Sequence, residues 1–104
     1  MEEKQVMKIP HSDEAERYIL GCMLIDQSII DQTISEISSE DFYSRPNKNV
    51  MLAIETLVKN NTIVDYTTVL DELKRLNLLK ATGGNDYLYA LMESVPTVAN
   101  IEAY

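Results

Sequence analysis

Pro10-His11-Ser12-Asp13-Glu14-Ala15-Glu16, running into Tyr18-Ile19-Leu20-Gly21, is the stretch from which the fold of this 104-residue chain is read. It is built as a helix start. A proline precedes short polar residues whose side chains can accept from the free N–H groups of a first turn. Asp13, Glu14 and Glu16 put negative charge at the positive end of the helix dipole. Asp13 and Glu16 stand at capping-box spacing, and such a cap contributes about 1 kcal/mol. Ala15, Ile19, Cys22 and Met23 then recur at helical spacing. The stretch predicts a helix that starts near Ser12 or Asp13, with Asp13 and Glu16 as solvated, capping acids.

Working outward, residues 1–9 are polar and read as a flexible N-terminal segment. Downstream, Asp26-Gln27-Ser28 punctuates, and Ile29, Ile30, Thr33, Ile34 and Ile37 continue as a second helix. Ser38-Ser39-Glu40-Asp41 is a further cap cluster that opens a short turn carrying Phe42 and Tyr43. Pro46 suits the first turn of a third helix with the stripe Val50, Ala53, Ile54, Leu57 and Val58, which Asn60-Asn61 ends. Thr62-Ile63-Val64 is short and extended in character. Asp65 then caps a fourth helix with Val69, Leu70, Leu73 and Leu76. Gly83-Gly84 precedes a helix with Leu88, Leu91, Met92 and Val95, and Pro96-Thr97 opens a last one from Val98 to Tyr104. The expectation is an all-α, compact bundle of five to six short helices, one domain spanning residues 10–104.

Composition narrows the function. Seventeen acids against nine Lys and Arg leave a net charge of −8, and the densest basic pair is Lys74-Arg75. Tight autonomous nucleic-acid binding draws on Lys and Arg that release phosphate counterions, so little direct DNA binding is expected. Cys22 is the sole cysteine and His11 the sole histidine, which excludes an intramolecular disulfide and a four-ligand Cys/His zinc site. The N-terminus lacks the apolar core of a signal peptide, and no apolar run approaches the roughly 18 residues of a membrane span. A reducing cytoplasm is the expected compartment.

No catalytic constellation stands out in the sequence. Gly83-Gly84 is followed by Asn85-Asp86-Tyr87 rather than the Lys and Ser or Thr of a phosphate loop, and reads as a helix-linking turn that needs positive φ. No carboxylate pair reads as buried together; Glu14 and Glu16 are two apart and face different sides of a helix. His11 has no Ser or Cys spaced to partner it and reads as a surface or cap-supporting residue. Cys22 reads as a small core residue. The face formed by Val98, Ile101 and Tyr104 would stay uncovered in an isolated chain, which truncation of a longer protein would explain.

The ordered motifs resemble one family. Ile9-Pro10-His11-Ser12-Asp13-Glu14-Ala15-Glu16, Ile19-Leu20-Gly21, Leu24-Ile25-Asp26, Asp41-Phe42-Tyr43, Ile63-Val64-Asp65 with Thr67 or Thr68, Gly83-Gly84 with Tyr87-Leu88, and Val95-Pro96-Thr97 with Ala99-Asn100 and Tyr104 follow one another at fitting intervals. Together they are similar to the N-terminal domain of DnaB-type replicative DNA helicases. A histidine often found just before the family's third helix is Asn47 or Lys48 here. The resemblance covers residues 9–104.

The resemblance implies a non-catalytic domain of an ATP-dependent 5′–3′ replicative helicase. The RecA-like motor, with its Walker motifs, ATP and Mg2+, would lie downstream, and the chain would stop short of the collar's C-terminal helical hairpin. The fragment itself is expected to hold no cofactor and no metal. In the family this domain forms the collar of a hexameric ring as a trimer of dimers and docks primase; the helicase loader is a further candidate partner. By position, the resemblance implies partner-binding roles for Glu14 and Tyr87. It also implies the cytoplasm of a bacterial or phage-infected cell. The alternatives are a free-standing helical adaptor or regulator of the helicase and a small helical hydrolase, which would need ionisable groups with shifted pKa values in a pocket.

Overall fold

The computed structural model describes residues 12–95. Within them six α-helices form: α1 Asp13–Ile25, α2 Ile30–Glu36, α3 Arg45–Lys59, α4 Tyr66–Arg75, α5 Leu79–Thr82 and α6 Gly84–Glu93, with 3-10 turns at Gln27–Ile29 and Ser39–Asp41. No strand occurs among the described residues, so the expected all-α class holds. The expected flexible segment 1–9 and the helix expected from Pro96 lie outside the described residues.

Two of the six helices, and both 3-10 turns, start where a short polar side chain meets an orphan N–H group. The Ser12 hydroxyl accepts from the Ala15 N–H at 3.1 Å. Ser38 and Asp41 form a reciprocal box around the second 3-10 turn, and Asp65 with Thr68 does the same for α4, each bond of the latter pair 2.9 Å long. Pro46 occupies the first turn of α3, where its missing N–H costs nothing.

The ends of α3 and α4 are built alike. Asn61 and Asn77 adopt φ of 58° and 61°. Behind them the Thr62 N–H donates to Leu57 O and the Asn61 N–H to Val58 O, while the Leu78 N–H donates to Leu73 O and the Asn77 N–H to Lys74 O. These are Schellman closures in which asparagine takes the left-handed position. The second one reverses the chain into α5, a helix the apolar spacing around Leu78 and Leu79 did not announce. Gly83, at φ 121°, and Gly84, at φ 76°, then turn α5 into α6.

The core is shared by α1 (Leu20, Met23, Leu24), α3 (Val50, Met51, Ala53, Ile54, Leu57), α4 (Val69, Leu73) and α6 (Leu88, Leu91), with Phe42 and Val64 inserted from the connections. α1 packs along α6 and crosses α3, and α4 lies against α3 and α6. The buried stripe of α1 is Glu16, Leu20, Met23 and Leu24, whereas Ala15, Ile19 and Cys22 are only half-buried. The helix is therefore rotated about one residue from the predicted face. Gly21 explains the rotation: a Cβ there would come within 2.2 Å of the Leu91 carbonyl oxygen and 2.8 Å of Val95 Cγ2. The backbone of α6 lies directly on this glycine. Thr62-Ile63-Val64 forms no strand; Val64 is buried and its N–H donates to Gln27 Oε1 at 3.0 Å.

Candidate partner-binding site

The first turn of α1 presents two faces with different chemistry. Inward, Glu16 is buried, at 2% exposure. Its carboxylate accepts from the Tyr43 N–H at 2.6 Å, the Ser44 N–H at 3.3 Å and Asn47 Nδ2 at 2.9 Å. It thus serves the Tyr43 and Ser44 amides just before α3 rather than the N-terminus of its own helix. The expected pairing of Asp13 and Glu16 as solvated caps is corrected here: Ser12 supplies the cap of α1, and Glu16 is carried inside by the i, i+4, i+7, i+8 stripe it shares with Leu20, Met23 and Leu24.

Asn47 is wholly buried at the start of α3. Its amide Nδ2 donates to Asp13 Oδ1 and Glu16 Oε1, both at 2.9 Å, and its Oδ1 accepts from the Tyr87 hydroxyl. Asp13 Oδ2 also lies 3.2 Å from Arg17 Nε. One polar staple therefore joins α1, the 43–44 connection, α3 and α6. The Asn47 amide uses both its NH2 and its oxygen in this staple, whereas Arg17 Nε, buried beside Asp13, makes no hydrogen bond. Burial, seconded by the Asp13 charge, pushes the Tyr87 phenol up to about 12; Arg17 acts in the opposite sense and Glu16 adds to the rise. Tyr87 thus acts as a hydroxyl donor at any physiological pH.

Outward, Glu14 is exposed and lines an open groove of about 610 Å³ with Ser12, Arg17, Tyr18, Ile19 and Ser94. Arg17 and Tyr18 stand three and four residues on from Glu14, on the same face of the helix. Tyr18 is half-exposed, and the Cys22 thiol one turn below it raises its phenol above the ordinary value. The groove therefore offers a carboxylate, a guanidinium and a phenol around an apolar floor.

The two residues singled out in the sequence reach this turn from opposite sides. Glu14 faces the groove directly. Tyr87, on α6, is half-buried and acts through Asn47 on Asp13 and Glu16. Sequence reasoning passed over Glu16 and Asn47. For Glu16 a signal existed, its place on a continuous apolar stripe; for Asn47 the only signal was a polar residue standing in the first turn of a strongly amphipathic helix. His11 lies outside the described residues.

The six helices of the described residues are arranged as in a known class. The fold matches the crystal structure of the N-terminal domain of DnaB helicase from Mycobacterium tuberculosis with a TM-score of 0.79 and 37% identity, over 92% of this chain and 67% of that one. The family model described as DnaB-like helicase N-terminal domain matches residues 8–104, and the chain belongs to that family. Similar full-length proteins include the replicative DNA helicases DnaB of Treponema pallidum (32% identical over 95 residues) and Mycobacterium leprae (38%) and the replicative DNA helicase DnaC of Bacillus subtilis (35%). Each alignment spans 91% of this chain but only 22%, 16% and 21% of the respective relative. No helix among the described residues is long and apolar enough to cross a membrane.

Proposed function

We propose that this chain is the non-catalytic N-terminal module of a replicative DNA helicase, working in the cytoplasm to assemble the collar of a hexameric ring and to dock primase. The match of residues 8–104 to this family's N-terminal domain carries the reading. ATP and Mg2+ belong, in this proposal, to a motor outside the module. The helicase loader is a second candidate partner.

Within the module, Glu14 and Tyr87 divide the work. Glu14 and the groove beside it contact the partner. Tyr87 is a positioning residue: through Asn47 it sets where Asp13 and Glu16 hold the start of α1, and so where Glu14 projects. The geometry supports this division because one residue is exposed on α1 and the other is hydrogen-bonded into the same turn from behind.

Calorimetric titration of the cognate primase's C-terminal domain into the full helicase is the test. Glu14→Ala should weaken binding while leaving the thermal midpoint unchanged, since an exposed carboxylate contributes little to folding. Tyr87→Phe removes only the hydroxyl; it should lower the midpoint slightly and change primer synthesis. Unchanged affinity and unchanged primer length in both variants would refute the assignment of these residues. Absence of any primase binding to the full protein would refute the docking role.

A further inference from the structure

Tyr66, at the start of α4, and Tyr89, midway along α6, stack with ring centroids 4.7 Å apart and planes inclined by 28°. The stack ties two helices together, yet Tyr89 keeps 51% of its surface in solvent. A ring stacked on one neighbour and left half open can take a third planar group, and the stack reduces the ordering entropy that binding would cost.

The surroundings select that group by charge. Asp86 and Glu93 lie three residues before and four residues after Tyr89 on α6, so they flank it on the same face, and both are exposed. α6 carries no Lys or Arg, and the chain as a whole is at −8. Tyrosine faces can also stack nucleobases. A base, however, arrives with a phosphate, which Asp86 and Glu93 repel. A guanidinium gains both from the ring face and from the two carboxylates, and its plane suits stacking better than an ammonium does.

We propose that the Tyr66–Tyr89 pair is a docking surface for a basic segment of a partner protein, with an arginine laid on the exposed Tyr89 ring between Asp86 and Glu93. It is separate from the Glu14 groove and stands whether or not that groove binds primase.

The test is a nuclear magnetic resonance titration of the full chain with a Gly-Arg repeat peptide, its Gly-Lys counterpart and single-stranded oligothymidylate. Saturable shifts should centre on Tyr66, Tyr89, Asp86 and Glu93. The lysine peptide, and the Tyr89→Leu variant with the arginine peptide, should each bind about two- to five-fold more weakly. Asp86→Asn with Glu93→Gln should also weaken binding; these exposed changes leave the fold intact and keep the test decisive if Tyr89→Leu misfolds. Shifts spread evenly over the acidic surface, or affinity unchanged in both variants, would overturn the proposal. Tyr89-dependent binding of oligothymidylate as tight as that of the arginine peptide would overturn it in favour of a nucleic-acid surface.

Discussion

Replacing Glu16 tests the central claim about this domain, that a carboxylate inside the core pins the start of α3 to α1. In Glu16→Ala the Tyr43 N–H at 2.6 Å and the Ser44 N–H at 3.3 Å lose this acceptor, and Asn47 Nδ2 loses one of its two, at 2.9 Å, keeping Asp13 Oδ1. A buried donor deprived of its acceptor costs about 1–3 kcal/mol. The Ser44 bond is long and weak, so the loss rests chiefly on the Tyr43 N–H and on the one Asn47 hydrogen that Glu16 accepts. The sum is about 2–6 kcal/mol, a large part of the roughly 5–15 kcal/mol that holds a domain of this size folded. Glu16→Gln keeps the shape and one acceptor oxygen but turns an NH2 toward N–H donors, and should cost about 1–3 kcal/mol. Urea unfolding followed by circular dichroism measures both; the midpoint should fall with the slope unchanged. Amide exchange should accelerate first at Tyr43 and Ser44. A Glu16→Ala protein within about 0.5 kcal/mol of the parent, the range of ordinary surface substitutions, would show that the carboxylate is a solvated acid after all and refute the staple.

Three further outcomes follow from the same geometry. Gly21→Ala gains about 1 kcal/mol of helix propensity but drives a methyl to 2.2 Å from the Leu91 carbonyl oxygen, so it should destabilise by about 1–3 kcal/mol net in the same urea assay, and a neutral result would mean that α1 and α6 are not in backbone contact. Gly83→Ala should cost more than Gly84→Ala, because both take positive φ but only the Cβ at residue 83 would crowd Tyr87, at 3.0 Å; equal melting midpoints would contradict this. The Tyr87 phenol has its folded-state pKa raised from 10.0 to about 12, so the folded protein retains this proton longer than the unfolded chain does. Its contribution is whole below about pH 10 and is lost as pH rises toward 12. Phenolate absorbance should show a late-titrating tyrosine that Tyr87→Phe abolishes, and a variant that keeps the late phase and loses amplitude near pH 10 instead would refute it.

The staple also explains why a residue outside the groove can matter to it. Asn47 has one amide to share, and it spends both ends: its NH2 on Asp13 and Glu16 of α1, its oxygen on Tyr87 of α6. A change at Tyr87 therefore alters the forces on the turn that carries Glu14 without touching Glu14. A double-mutant cycle between Glu16→Gln and Tyr87→Phe should show coupling of about 0.5–3 kcal/mol, as residues in one hydrogen-bonded network do.

Much of the helical layout is legible in the chain because its causes are local. Ser12, Ser38, Pro46 and Asp65 act on amides no more than three residues away, so their effect can be read from the letters around them. The same holds for the Gly83-Gly84 turn, where positive φ is a property of those two residues. The family, too, was legible, since ordered spacing survives without coordinates. Tertiary structure alone decided that α1 turns Glu16 inward, that Asn47 is buried beside it, that Tyr87 reaches Asn47, and that Tyr66 and Tyr89 meet. The bonds of Glu16 cross 27 to 31 positions of chain and that of Tyr87 crosses 40. An acid near a helix start looks alike in sequence whether it caps its own helix or another's. Only the approach of α6 onto Gly21 settles which way the helix faces, and with it which of Asp13, Glu14 and Glu16 becomes core.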